Sequence, residues 1–263
     1  MHWLDRHMAQ DTFDCYVNRF DVSDEKVRLK IAHTGRVCSL CERIAGSLEL
    51  TDEEKDLAWL LGLLHDVGRF GQLKEYGTFN DALSVDHAKC GADFLFAEGH
   101  IRDYVKEDRY DALLETAIRN HNVFRLPSGL SEKELMFCRI LRDADKIDIL
   151  RVNIETPVEE IYNCTRRDVE EASVTEAVFA SFVEKHAVEH RLKKTSIDRV
   201  VGHASLVFEL EYPISVHIVK EQGYLDELLH FPTRNPETAA CFAKMADILH
   251  EWMEERLRRD GNC

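Results

Sequence analysis

The chain has 263 residues, of which 49 are acidic and 34 are basic, so its formal net charge is −15 at pH 7. A negative charge of this size disfavours stable binding to nucleic acid or to an anionic membrane, and no run approaches the roughly 18 apolar residues that span a bilayer. With only 5 Pro and 12 Gly, the composition suits a mostly helical protein with few long loops.

The N-terminal residues, MHWLDRHMAQ, lack the apolar core of a signal peptide. The eight cysteines lie scattered along the chain, which is typical of reduced thiols. We therefore expect a cytoplasmic protein. Cys38 and Cys41 form a CxxC, but no second CxxC accompanies them, so we expect core thiols rather than zinc ligands.

The first long amphipathic helix is predicted from about Ser23 onward. His33 lies in this helix, four residues before Val37 and seven before Leu40. Because residues four and seven apart share a helix face, His33 points with the apolar residues rather than toward water.

The stretch LAWLLGLLHDVGRF, residues 57–70, predicts a central helix with one broad apolar face. Thr51 and Glu54 form a capping box that starts this helix. Gly68 is placed to end it in a left-handed cap, and the sequence GRFGQLKEYGTFND then predicts a loop.

His65 and Asp66 appear where the apolar face of the central helix should continue. An imidazole and a carboxylate at a buried helix end are costly unless something coordinates or protonates them. Alone, the pair also fits a core histidine beside a capping aspartate. Arg69, in the predicted loop, would be free to reach a ligand.

Two later segments also bring an imidazole to the end of an apolar face. SVDHAKCGADFLF predicts a helix with His87 in its first turn, and YDALLETAIRNHN places His121 three residues after Ile118. Both histidines are therefore candidates for the same buried polar site.

A long helix is predicted over ELMFCRILRDADKIDILR, after a capping box formed by Ser131 and Glu134. Asp145 stands where the helical period would normally place Leu or Ile, which is costly unless the carboxylate is paired or binds a metal. We expect Asp143 and Asp148 to be exposed or capping.

From about residue 160 the sequence keeps its helical periodicity, ending in a helix predicted from about Glu237 to Arg259. We therefore expect an all-α fold. Residues 1–160 would form a helical core with an N-terminal arm, and residues 161–263 a helical C-terminal extension packed on that core.

The metal-ligand candidates occur in the order H…HD…H…H…D, and they are His33, His65, Asp66, His87, His121 and Asp145. Four imidazoles and two carboxylates suit one or two divalent ions such as Mn, Fe, Co, Ni or Zn better than Ca. This order is much more specific than any one of its members.

The pattern resembles the HD superfamily of metal-dependent phosphohydrolases, through the motifs AHTGRV, LLHDVGRFGQ and ILRDADKIDILR. The resemblance covers roughly residues 23–151 and implies an HD-type helical bundle. It implies that His33, His65, Asp66 and Asp145 hold a first divalent metal ion. Mg is a further candidate for this ion, beside those named above. The resemblance further implies, for two-metal members, that His87 and His121 hold a second ion, with Asp66 bridging.

Two features differ from the cyclic-dinucleotide branch of this superfamily. That branch has Lys three residues after the Asp of its His-Asp pair, where this chain has Arg69. It also continues from HHE into a GYP loop, where this chain reads NHNVFRLPSG. Both differences disfavour cyclic-di-GMP as a substrate, and neither disfavours phosphoester hydrolysis.

We expect a phosphohydrolase that cleaves a phosphomonoester or phosphodiester of a small, anionic, nucleotide-like substrate with metal-activated water. Asp66 would be catalytic, and Arg69 would stabilise charge on the transferring phosphoryl group. Arg36, Arg125 and Lys146 are candidates for phosphate binding, although each also fits a surface ion pair.

Three alternatives are compatible with the sequence. In a mononuclear nucleotidase, His87 and His121 would contact the substrate around a single metal. A catalytically weak HD domain would bind a nucleotide as a sensor, and a purely structural protein would use these residues in internal polar networks. The acidic helical surfaces are also compatible with a homodimer.

Overall fold

The computed structural model describes residues 3–260, and the regular structure of this part of the chain is entirely helical. The expected all-α fold is confirmed. The chain forms two compact units, residues 1–144 and 145–263.

The first unit contains the helices that carry most of the candidate site residues. In chain order they are α1 (Arg6–Val17), α2 (Glu25–Ser47), α3 (Asp52–Leu64), α4 (Val67–Tyr76), α5 (His87–Ala92), α6 (Ile101–Tyr104), α7 (Asp111–Arg119) and the first part of α8 (Glu132–Glu155). A 3-10 turn at Asp81–Leu83 precedes α5, and a π-helical turn at Asp93–Ala97 follows it.

The second unit begins within α8 and is built from shorter helices and one long terminal helix. They are α9 (Val158–Tyr162), α10 (Arg166–Glu171), α11 (Glu176–Val183), α12 (Ser196–Ala204), α13 (Pro213–Gln222), α14 (Tyr224–Leu229) and α15 (Pro236–Asp260). The predicted C-terminal helix is confirmed as α15.

The border between the two compact units falls in the middle of α8, which is continuous from Glu132 to Glu155. A domain border rarely interrupts a helix, so this division does not test the predicted border at residue 160, which stays a prediction. No helix in residues 3–260 combines the length and the apolar composition needed to span a bilayer.

The pairing of α2 with α3 forms the centre of the first unit. α3 contributes a continuous set of buried leucines, including Leu57, Leu60 and Leu61, each 0% exposed. Burial of one such side chain stabilises the fold by about 1.5–3 kcal/mol. The predicted capping box at Thr51 is confirmed, since its hydroxyl accepts from Glu54 N while the Glu54 carboxylate accepts from Thr51 N.

The other local predictions for these helices are also confirmed. Ser131 and Glu134 form the reciprocal capping bonds expected before α8. Cys38 and Cys41 are buried in α2 and form no disulfide, as expected of core thiols.

Gly68 does not end a helix, and the prediction of a loop after it is wrong. α3 ends at Leu64, the chain turns at the next two residues, and α4 then continues to Tyr76. The left-handed cap is supplied by Gly77, with φ of 67°. Gly68 serves a different purpose, because a Cβ there would meet the carbonyl oxygen of His87. The missing side chain lets α4 lie directly on α5.

The sequence analysis predicted that Asp143 and Asp148 are exposed or capping, and this prediction is wrong. Asp143 is 0% exposed and Asp148 is 1% exposed. The reason is that α8 is buried around most of its circumference, with Ile140, Ala144 and Ile147 each 0% exposed. A single apolar stripe therefore does not describe this helix.

Gly62 allows α2 and α3 to approach closely. A Cβ at Gly62 would lie 2.7 Å from Cys38 Cα and 2.8 Å from Cys38 N, which are backbone atoms and cannot move aside. We therefore predict that Gly62→Ala forces the helices apart and destabilises the fold by about 1–3 kcal/mol, as overpacking does.

Gly46→Ala is the matched control, because Gly46 is also helical but has nothing within 4 Å of a Cβ. That variant should keep or gain stability, by up to about 1 kcal/mol, from the better helix propensity of Ala. Urea unfolding of both variants measures the difference. Equal stability of the two would contradict the role assigned to Gly62.

Candidate metal centre

Four histidines and one aspartate meet inside the first unit, although they come from four different places in the chain. His33 lies in the middle of α2, His65 and Asp66 form the turn between α3 and α4, His87 is the first residue of α5, and His121 follows α7. All five are buried, with at most 5% exposed.

These five residues form two groups that share Asp66. We call His33, His65 and Asp66 the first trio, and Asp66, His87 and His121 the second trio; in each, the possible ligand atoms lie within 4.8 Å of one another. Asp66 Oδ2 is 3.7 Å from His33 Nε2 and 3.6 Å from His65 Nε2. Asp66 Oδ1 is 3.4 Å from His87 Nε2 and 3.8 Å from His121 Nε2. Each carboxylate oxygen therefore faces its own pair of imidazoles.

Three of the histidines have their tautomer fixed by a bond on the far side of the ring. His65 Nδ1 donates to Gly62 O at 2.8 Å, and His121 Nδ1 donates to Ile118 O at 2.7 Å. His87 Nδ1 donates to Asp81 Oδ2 at 2.6 Å. A neutral ring that donates through Nδ1 has a lone pair on Nε2, and so all three rings present an acceptor toward Asp66.

The distances between the Nε2 atoms of these histidines suit metal ions. His33 Nε2 and His65 Nε2 are 3.3 Å apart, and His87 Nε2 and His121 Nε2 are 3.0 Å apart. Two nitrogens bound to one ion at about 2.1 Å are about 3.0–3.4 Å apart for angles between a right angle and the tetrahedral angle. The donor set and its spacing therefore fit a divalent cation in each trio.

The comparison with known families agrees with this geometry. Residues 31–150 match the family model of the HD domain. The chain contains an HD domain. No curated protein and no solved structure matches the chain significantly.

Asp66 of the HD domain is ionised although it is only 2% exposed. Burial opposes its ionisation, but nearby positive charge, that of Lys30 first, outweighs burial and holds the pKa of Asp66 well below its ordinary value. Asp66 occupies the N-cap position of α4, yet its side chain makes no capping bond. The carboxylate is thus directed at the histidines and not at the helix end.

Lys30 is a functional candidate that the sequence interpretation missed. Its Nζ lies 2.6 Å from Asp66 Oδ2, and its side chain is 17% exposed. It also lies 5.4 Å from the centre of the Phe79 ring, where the guanidinium of Arg69 approaches to 5.8 Å. Two cations therefore converge on Asp66 beside one aromatic ring. The helical spacing of Lys30 and His33, three residues apart, is the signal that was available in the sequence.

Arg69 lies in α4 and is tethered on one side. Its Nη1 donates to Gln72 Oε1 at 2.9 Å, Phe79 O at 2.6 Å and Asp81 Oδ1 at 2.7 Å. Its Nε lies 3.5 Å from Asp66 Oδ1 but makes no hydrogen bond, and Nη2 has no partner among residues 3–260. The guanidinium is held beside the second trio with donors to spare, as a phosphate contact would require.

Asp81 supports the second trio from behind. Its Oδ2 accepts from His87, while its Oδ1 accepts from Arg69 and from Gln72 Nε2. These donors hold the pKa of Asp81 below its ordinary value despite the opposing effect of burial. Asp81 also groups with Asp86 and His87, but His87 Nδ1 carries a proton there and Asp86 caps α5. We interpret this third group as support for His87.

Arg142 holds the segment that contains His121. It is 8% exposed, and its Nη1 donates to Asn120 O at 3.3 Å and His121 O at 3.1 Å, and also to Val123 O. Its Nη2 donates to Phe124 O. No local pattern in the sequence indicates these contacts, because they join residues about 20 positions apart.

The remaining predicted site residues are not members of the two trios, and their roles stay predictions. Arg36 is half-buried on α2, one turn after His33, and Arg125 is exposed in the segment after His121. Asp145 is half-buried at the start of the second unit. Lys146, in that unit, donates to Glu209 O at 3.3 Å.

Asp81→Asn tests the support of His87. The amide keeps the shape but loses the charge that orients the imidazole, so we predict about 10–100-fold weaker binding of the second metal equivalent, with the first equivalent unchanged. Calorimetric titration with Mn²⁺ measures both. Asp93→Asn is the control, since Asp93 is exposed and pairs with Arg119. Loss of affinity in the control, or none in Asp81→Asn, would contradict this role.

Proposed function

We propose that this protein is a two-metal phosphohydrolase acting on a small phosphoester. The arrangement of Asp66 carries the proposal, because each oxygen of one buried carboxylate faces a separate pair of imidazole Nε2 atoms. A purely structural network would not need two such pairs on one acid. The HD domain over residues 31–150 supports a metal-dependent hydrolase.

The trios would hold the ions through His33 and His65 on one side, His87 and His121 on the other, with Asp66 shared. Asp145 is proposed as a further ligand of the first ion. Two bound divalent cations would supply hydroxide at neutral pH and neutralise charge on phosphate oxygens. In the overall reaction, a water oxygen bonds to phosphorus, the ester P–O bond breaks, and the released ester oxygen takes a proton.

Lys30 and Arg69 would bind the phosphate. Both cations now approach Asp66, on its Oδ2 and Oδ1 sides respectively. A cation bound to Asp66 Oδ2 would repel the Lys30 ammonium, which would then lie at the edge of the site, where an anionic substrate binds. Arg69 needs no such movement, because Phe79, Gln72 and Asp81 already fix its orientation. Arg36, Arg125 and Lys146 are proposed as further phosphate contacts.

The proposed substrate is small and nucleotide-like. The net charge of −15 disfavours a polyanion such as nucleic acid, whereas two bound metal ions together with Lys30 and Arg69 would reverse the field locally. A screen of phosphomonoesters, nucleotides and cyclic dinucleotides with Mn²⁺-loaded protein tests the reaction. Hydrolysis of none of them would contradict the proposed function.

His121→Ala tests the number of metals. Loss of one of two ligands in the second trio should lower the metal content from about two ions per chain toward one, with a large loss of turnover. Elemental analysis of the purified protein measures this. His250→Ala is the control, because His250 is exposed and pairs with Asp226.

An unchanged metal content in His121→Ala would refute the two-metal site. If the Michaelis constant rose at the same time, the protein would be a mononuclear nucleotidase in which His121 contacts the substrate. If turnover were absent in the wild type as well, while a nucleotide still bound, the protein would be a sensor.

Lys30→Met tests the phosphate contact. We predict a loss of kcat/KM of about 10–100-fold, which corresponds to about 1.5–3 kcal/mol for a hydrogen bond to a charged group, with metal content retained. Steady-state kinetics with the best substrate of the screen measures it. Lys55→Met is the control, because Lys55 pairs with the exposed Asp52. A drop in metal content would show instead that Lys30 supports the ligands.

A further inference from the structure

A second cluster of basic groups lies in the second unit, on and beside α12. It consists of Lys193, Arg199 and His203, and we call it the basic cluster. Arg199 and His203 are four residues apart on α12 and so share a helix face. Lys193 precedes this helix and reaches it with its side chain.

The ammonium group of Lys193 lies against Gly202. A Cβ at Gly202 would overlap the Cε and Nζ atoms of Lys193, so the glycine makes the room that this side chain occupies. Lys193 is half-buried, and its ammonium has no hydrogen-bond acceptor among residues 3–260. A partly buried ammonium without an acceptor is unusual, because desolvation of a charge is expensive.

Arg199 and His203 are joined through Tyr162. Arg199 Nη1 donates to the Tyr162 carbonyl oxygen, and the Tyr162 hydroxyl lies 3.1 Å from His203 Nδ1. The same hydroxyl donates to Asn153 Oδ1 at 2.7 Å, so it accepts from His203 Nδ1–H. The His203 ring stacks on the Tyr162 ring with an angle of 20° between their planes. Both basic side chains are therefore fixed in position.

The charges of the basic cluster act on one another. Burial lowers the pKa of Lys193, the charge of Arg199 lowers it further, and Asp198 opposes the shift. Burial lowers the pKa of His203 to about 3, and the charges of Lys193 and Arg199 contribute. The ring of His203 is therefore neutral, and the two cations lie close to it and to each other.

The charge of Asp198 offsets part of the positive charge of this cluster, but no carboxylate within the described chain forms an ion pair with it. Neither Lys193 nor Arg199 forms a salt bridge, in a protein with 49 acidic residues. The carboxylate of Asp198 is already bonded to Thr175 N, Thr175 Oγ1, Lys194 N and Thr195 N. The C-terminal end of α12 offers roughly half a negative charge, which is less than the two positive charges beside it.

We propose that the basic cluster binds a phosphate group. Lys193 would contribute a compact ammonium with three donors, and Arg199 the guanidinium nitrogens that Tyr162 leaves unused. Free hydrogen phosphate, with a charge of −2, would neutralise both cations, and its one protonated oxygen can donate to the neutral His203 Nε2. The site lies within the second unit and is independent of the metal centre.

The experiment is a calorimetric titration of the full chain with orthophosphate in the presence of EDTA, so that no ion attracts phosphate to the metal centre and Lys30 stays paired with Asp66. We expect one equivalent to bind. Lys193→Met should weaken this binding about 10- to 100-fold, whereas the neighbouring Lys194→Met should leave it unchanged, because Lys194 is exposed. A parallel titration with adenosine 5′-monophosphate distinguishes a free phosphate from a phosphate carried by a nucleotide.

Thermal unfolding gives an independent readout. Without phosphate, Lys193→Met should raise Tm, because it removes an uncompensated charge, and it should abolish the rise in Tm that phosphate causes. If Lys193 were merely structural, its replacement would lower Tm and the response to phosphate would persist. No binding of either ligand, or equal effects of Lys193→Met and Lys194→Met, would overturn the proposal.

Discussion

The ionised carboxylate of Asp66 is buried in the first unit, and ionisation at such a position costs several kcal/mol unless positive charge surrounds it. Much of the local structure meets that requirement. The basic side chains of Lys30 and Arg69 approach opposite oxygens, and imidazoles fill the remaining directions. These groups come from α2, from α4 and from the ends of α3, α5 and α7, and so the charge of one side chain determines how several helices must be positioned.

Close helix approach makes this positioning possible. Gly62 lies three residues before His65, and Gly68 lies two residues after Asp66. The first lets α3 contact the backbone of α2, and the second lets α4 contact the backbone of α5. Backbone-to-backbone contacts leave less freedom than contacts between long side chains, which repack easily. His65 and Asp66 are therefore held between two rigid backbone contacts. A binding site requires side chains that are positioned this accurately.

Periodicity in the sequence was sufficient to predict most of the helices, although not α4, and to select His33, His65, Asp66, His87 and His121 as buried candidates. His33 and His87 were recognisable because each places an imidazole on or at the start of an apolar helix. The capping box at Thr51 fixed the start of α3 correctly. These features are local, and local patterns survive in a single sequence.

What could not be predicted depends on contacts between distant segments. Gly68 was assigned to a helix cap because a glycine after an apolar run usually ends a helix, whereas here it makes room for α5. Asp81 acts through hydrogen bonds that join α4 to α5, to Arg69 and to His87. Arg142 binds carbonyl groups about 20 residues earlier in the chain, and Asp143 is buried because neighbouring segments cover α8 on several sides. The periodicity of apolar residues within a single helix does not indicate any of these contacts between segments.

The ion pair of Lys30 with Asp66 has a consequence for the order of folding and metal uptake. Many small metal-binding domains cannot fold without their ion, because the ligands repel one another until it arrives. In this protein the lysine supplies a built-in counter-ion, at 2.6 Å, to the acid at the centre of the ligand set. If the trios bind metal as proposed, the polypeptide can complete its fold first and exchange the ammonium for a metal afterwards. Metal supply would then govern how much of the protein is active, without governing how much of it survives in the cell.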